Sequence, residues 1–514
     1  MNNCLLRRAG VWICVAACVL CGGCSSNSNK AITREPLTVL RNPQQSPAER
    51  EKAIDVAWQQ ALKNPEDMKS VRATFKDMTW SAQLPLEMRA KMYRYLASDP
   101  NPAAVADTQR MTRLMLPREP DRGMVAVLSQ NAADKGWKDC IPALIRSYSR
   151  VTPKVPDRDR SEKLALVILS GETPLVQTVF EVFLDPPEED PDSPADFKER
   201  TRADAYDVLG KLDTTGEYRK KLLEDPSLAA SKSQIVELLR KALAELRVIP
   251  ITGDELRWLQ RLGDPKNTRN AEWWQQCAGI VAQLPPDKLE GLRLRHLEPI
   301  RVAATYQQDI FKRDRAQLLS DLAPTIAGRK TPQRSDEDQG LTKAAKEQFD
   351  GWQERYSWGD LVTMHVLDRG VRTKEFSERI FMYASMDRED KTTEYGGVIL
   401  TLHNIGDGRA TSNSPGDIVA WLFPPRPGQR QGDNEFVASE EMILQSDRAL
   451  AQFHFHVQRV RNADVAGPSA ADLAYSRRSG RACLVFTSIA ADEMDVDYYQ
   501  PDGIVVDLGT IVKK

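Results

Sequence analysis

Between residues 46 and 327 the apolar positions recur three and four apart, with breaks at Pro, Gly and Asp. That period lines up side chains on one face of an α-helix. Ile141, Leu144, Ile145 and Tyr148 form one stripe, Leu164, Val167 and Ile168 a second, and Val176, Val179, Phe180 and Phe183 a third. The first helix opens at Ser46-Pro47-Ala48-Glu49, where Ser46 supplies a cap, Pro47 has the φ of a first helical position and Glu49 completes a capping box. Helices of roughly ten to fifteen residues joined by short connections predict hairpins stacked side by side, a solenoid-like all-α scaffold over 46–327 without a strict repeat.

The texture then changes. The polar run GRKTPQRSDEDQG at 328–340 marks the principal boundary, within a linker of 328–359. Beyond it, short apolar or alternating runs at 361–367, 397–402, 417–423, 449–457, 482–487 and 503–508 predict strands, with helical pieces at 374–386 and 470–479. Residues 360–514 are therefore expected to form an α/β or α+β domain. The acidic run DEMDVD at 492–497 reads as a loop, with calcium ligation, joined by Asp502, as the alternative. The acidic, proline-rich stretch 185–196 reads as a surface loop, and Trp273 and Trp274 as packing residues.

Composition narrows the function. Lys and Arg (71) nearly balance Asp and Glu (73), leaving a formal charge of −2 and no electrostatic case for nucleic acid. Of the cysteines, Cys4, Cys14, Cys18, Cys21 and Cys24 crowd the first 24 residues, and Cys140, Cys277 and Cys483 are scattered, so neither a disulfide framework nor a thiolate zinc site is expected. Histidine chemistry must draw on His296, His365, His403, His454 and His456. His365 and His403 read as surface or hydrogen-bonded histidines.

Residues 1–24 carry Arg7 and Arg8, then an apolar stretch at 11–20, then Cys21-Gly22-Gly23-Cys24. This is secretory architecture, too short for a comfortable transmembrane span. Small residues before a cysteine resemble a bacterial lipoprotein signal, which implies acylation of Cys24, a tether over 25–45 that begins with the Ser/Asn run at 25–29, and a protein exported and lipid-anchored to a bacterial membrane facing the periplasm or exterior. The helical region is similar to HEAT-like or TPR-like repeats, which bind protein or peptide on a concave face.

The C-terminal domain holds the candidate chemistry. His454 and His456 lie two apart on a predicted strand and so share a face, where both imidazoles can meet one metal ion. Ser469 and Asp472 open a helix three apart; they form a capping box with Asp in the place of Glu, a role that leaves the side chains on one face. Glu394 precedes Gly396 and Gly397, which permit close backbone approach, and the strand that follows. Asn462 and Asp464 are alternative oxygen ligands.

Taken in order, Glu394, His454-x-His456 and Ser469-x-x-Asp472 resemble the JAMM motif of the JAB/MPN zinc metalloproteases, over roughly residues 360–514. The resemblance implies a JAB/MPN-like fold with a cytidine-deaminase-like layered sheet, and Zn²⁺ held by His454, His456 and Asp472. It further implies Glu394 as the acid/base and Ser469 as the donor to the oxyanion, in hydrolysis of a peptide or isopeptide bond. The substrate is then a protein or peptide, peptidoglycan peptides included. Two departures stand out: the twelve residues 457–468 between the motif halves exceed the family spacing by about five, and Val457 replaces a common Pro. A binding lipoprotein with a degenerate, non-catalytic domain is the alternative.

Overall fold

Ser46 and Glu49 make the reciprocal bonds of a capping box, Ser46 N–H to Glu49 Oε2 at 3.1 Å and Glu49 N–H to Ser46 Oγ at 3.3 Å, and the helix Pro47–Lys63 follows. The computed structural model describes residues 30–150, 156–187, 196–225, 233–332, 348–405, 414, 416–432 and 436–514. The signal 1–24 with Cys24, the Ser/Asn run of the tether and most of the boundary segment 328–340 lie outside the described residues. Within 25–45, residues Pro36–Arg41 are helical and bury Val39 and Leu40; the composition that suggested a spacer ends at Asn29.

Two compact units divide the chain, Met1–Thr178 and Val179–Lys514. The first is helical throughout its described elements. Its Ile141–Ser149 helix buries Leu144, Ile145 and Tyr148, as the stripe predicts. Ser161–Ser170 departs from the expectation: Leu164, Val167 and Ile168 are 51–57% exposed, and Ala165, Leu166 and Leu169 face inward. That helix is apolar nearly all round, so the pattern leaves its inner face undecided. Glu162 decides it: fully buried, it takes hydrogen bonds from Arg122, Arg160 and Ser147.

The second unit begins with further helices, among them Phe197–Leu212, Gly253–Leu262, Thr268–Val281 and Leu297–Tyr306. Trp273 and Trp274 are buried, and their indole N–H groups donate to Glu298 at 2.7 Å and Glu245 at 2.6 Å. Among the described residues no single helix is long and apolar enough to cross a membrane.

The unit ends in one mixed sheet of β1 (Gly396–Thr401), β2 (Ile418–Leu422), β3 (Ala451–His456), β4 (Cys483–Ala490), β5 (Glu493–Tyr499), β6 (Val505–Asp507) and β7 (Ile511–Val512). The order is β2-β1-β3-β4-β5-β6, with β7 also on β5, and only β3 and β4 run parallel. A parallel pair needs a crossover, and the helix Ala470–Ser479 supplies it. On one face Phe453, Phe455 and Phe486 pack together, with Phe376 of the helix Lys374–Glu389 at 6.0 Å from Phe486. On the other, Cys483, Val485, Tyr499 and Val505 meet Leu473 and Tyr475 of the crossover helix. The result is a helical region followed by an α/β domain with its sheet between helices.

Two strand assignments are corrected. Residues 361–367 belong to the helix Trp358–Val371, capped by Ser357 and Asp360. Leu361, Val362, Met364, Val366 and Leu367 are all fully buried, and a helical segment with apolar residues on nearly every side shows no polar face to set its period. Conversely, the acidic run 492–497 falls largely in β5, where Met494, Val496 and Tyr498 alternate with Asp495, Asp497 and Tyr499, all six of these positions being buried. Asp495 and Asp497 are joined by Asp507, not Asp502, and the three carboxylates lie within 4.8 Å of one another.

Candidate metal centre

Strand β3 alternates, so Gln452, His454 and His456 share one face and Phe453 and Phe455 the other. The two imidazoles stand 5.1 Å apart, centroid to centroid, at an interplanar angle of 74°. Gln452 is fixed from both ends of its amide, donating to Ser446 Oγ at 2.8 Å and accepting from Tyr475 Oη at 2.8 Å. Beside β3 runs β1, with Gly396 paired to His454. A Cβ on Gly396 would collide with Phe436 and the Phe453 carbonyl, and one on Gly397 with the Trp421 carbonyl. Only glycine lets the strands approach so closely, and the approach brings buried Glu394 to the histidines, its Oε1 3.7 Å from His454 Nε2.

Asp472 arrives from the other side, in the first turn of the crossover helix. Its Oδ2 accepts the Ser469 N–H at 2.7 Å, and its own N–H donates to Ser469 Oγ at 3.2 Å. The capping box thus turns Oδ1 toward His454 Nε2, 3.3 Å away, with Oδ2 3.8 Å from His456 Nε2. His456 Nδ1 lies 3.1 Å from the Val465 carbonyl, and Tyr499 Oη 3.4 Å from His454 Nδ1. Glu394, His454, His456, Ser469 and Asp472 all line one open pocket of roughly 740 Å³.

The electrostatics follow from crowding two acids onto a buried imidazole. Burial pushes His454 down, but the Asp472 carboxylate, followed by Glu394 and Asp387, outweighs it and lifts the ring to about 9. Burial likewise pushes Asp472 up, and His454 and His456 outweigh it, holding the carboxyl well below the usual range. His454 Nε2 thus faces Asp472 Oδ1 at 3.3 Å and Glu394 Oε1 at 3.7 Å, so that in the protonated ring its proton takes the place between two carboxylates that a cation would occupy. Two donors each about 2.0–2.2 Å from a tetrahedral ion stand about 3.3–3.6 Å apart; Asp472 approaches the rings at 3.3 and 3.8 Å through its two different oxygens, and Glu394, His454 and His456 offer ligand atoms all within 4.8 Å of one another. The residues fit a divalent ion.

The structure brings together the five residues of the motif and leaves the remaining histidines elsewhere. His365 sits on a helix, not a strand, with Nε2 2.9 Å from the Leu318 carbonyl, and His403 is exposed. Asn462 donates its amide N–H to the His456 carbonyl at 3.1 Å, acting as a strut. Sequence reasoning missed Val465 and Tyr499. A backbone carbonyl leaves no side-chain signal, and Tyr499 ends the strand that acidic composition disguised. No protein-family model matches the chain, and neither a curated protein nor a solved structure matches it.

Proposed function

We propose that the chain is a zinc-dependent peptidase or isopeptidase whose C-terminal domain is JAB-like. The observation that supports this best is the convergence of Asp472 Oδ1 on His454 Nε2 at 3.3 Å, with Glu394 on the flank of the same ring and an open pocket in front. His454, His456 and Asp472 would hold the ion. Zinc there supplies Lewis acidity toward a water and a substrate carbonyl. The Glu394 carboxylate takes the proton from the attacking water and delivers it to the leaving amine. The Ser469 hydroxyl, whose oxygen already accepts from Asp472 N–H, keeps its proton free to donate to the carbonyl oxygen as charge develops.

The substrate class is a protein or peptide, with peptidoglycan peptides included because the signal pattern around Cys24 supports export and lipid anchoring. The helical region is the surface that would hold such a substrate. A test is cleavage of a mixed peptide library by the zinc-loaded chain, read by mass spectrometry, beside Glu394→Gln. The proposal expects the variant to keep its zinc and lose at least ~10²-fold in rate. Zinc bound without Glu394-dependent cleavage supports the second reading, a non-catalytic binding protein, for which the long 457–468 spacer speaks. Loss of zinc in the variant would make Glu394 a ligand.

A further inference from the structure

The spacer of twelve residues between His456 and Ser469 is folded back onto the metal centre. Arg388 Nε donates to the Val457 carbonyl at 3.1 Å where the chain leaves β3. Asn462, 6% exposed, then ties the loop to the sheet twice, its N–H donating to the Ser488 carbonyl at 2.8 Å and its side-chain N–H to the His456 carbonyl at 3.1 Å, and its own carbonyl accepts the Val465 N–H at 3.0 Å within the loop. Ser488 Oγ adds a bond to the Val460 carbonyl at 3.1 Å. The product of this bracing is the position of one atom, the Val465 carbonyl oxygen, 3.1 Å from His456 Nδ1.

We infer that this loop is a tautomer clamp and that Asn462 is its positioning residue. A carbonyl can only accept, so Nδ1 of the neutral ring must carry the proton and Nε2 the lone pair. Without the clamp the proton has a rival site, because Asp472 would accept an N–H from Nε2, and a ring protonated there cannot ligate. Distance decides the competition: Val465 stands at 3.1 Å from Nδ1 and Asp472 Oδ2 at 3.8 Å from Nε2. Metal-ligating histidines generally donate their other ring N–H to an outer partner that fixes ring and tautomer. Here the extra residues supply that partner, so the long spacer equips the site for metal. The inference rests on the proposal that His456 is a ligand.

The test is the imidazole tautomer in the metal-free protein, read by long-range ¹H–¹⁵N correlation at a pH where the ring is neutral, together with zinc affinity by chelator competition. The wild-type chain should show His456 protonated at Nδ1. Asn462→Ala should shift the population toward Nε2–H and weaken zinc about 10–100-fold, with far-UV circular dichroism unchanged. Wild-type His456 protonated at Nε2 would overturn the clamp, whether or not the variant folds; so would a variant that leaves tautomer and affinity as they were. A wild-type chain with the Nδ1–H tautomer and no zinc binding would overturn the metal proposal and leave the clamp standing.

Discussion

Asp472 divides its work between two oxygens. Oδ2 caps a helix by accepting the Ser469 N–H, and the bond that fixes it there points Oδ1 at His454. Ser469 is divided in the same way, its oxygen capping and its proton free. The two roles of Ser469 separate by substitution. Ser469→Ala should cost about 1 kcal/mol through the lost cap, whereas Ser469→Gly should cost only a few tenths. On the proposed chemistry both variants lose about 10²–10³-fold in peptide hydrolysis. Thermal unfolding beside cleavage rates checks this; Ser469→Gly with undiminished cleavage would confine the serine to capping. These residues were legible because their chemistry is written in side chains at strand and helix spacing. Val465 was not, since its contribution is a carbonyl whose place depends on how 457–468 fold.

At the scale of elements, legibility followed the contrast between faces. β1, β3 and Ala470–Ser479 stand where alternation and capping placed them. The stretch 361–367 and the helix Ser161–Ser170 misled because a helical segment apolar nearly all round carries no phase. β5 misled for the opposite reason, since buried Asp495 and Asp497 look like solvent-facing residues. A half-buried acid also joins Phe197–Leu212 to Gly253–Leu262: Asp207 accepts the Gly253 N–H at 2.6 Å, and desolvation lifts its carboxyl from 3.8 to about 6, with Asp254 and Asp204 adding to the rise. A raised folded-state value means that folding favours the protonated acid. The contribution is then fully present below about pH 3.8 and is lost as the pH rises through about 6. Asp207→Asn keeps an acceptor for Gly253 and removes the charge. It should therefore stabilise the protein by roughly 1–3 kcal/mol at pH 7 and by little below about pH 4. Chemical unfolding at the two pH values checks this, and an Asn variant no more stable at pH 7 would show that the half-buried acid carries no penalty.

At the scale of the molecule, the sequence yields a helical region, then an α/β domain, and one pocket of that domain gathers two histidines, two acids and a serine from β3, the entry to β1 and the crossover helix. The gathering is non-local: Glu394 and Asp472 lie 78 positions apart, and only the β1-β3 pairing and the β3-helix-β4 crossover bring them to one ring. The central claim is that this convergence exists to hold a metal. Zinc K-edge absorption on the purified zinc-loaded chain and on His454→Ala tests it most directly. The account predicts one ion per wild-type chain in a four-coordinate shell of imidazole nitrogen and carboxylate or water oxygen at about 2.0–2.2 Å, lost in the variant. A wild-type chain that takes up no zinc, or a His454→Ala chain with the same shell, would contradict it.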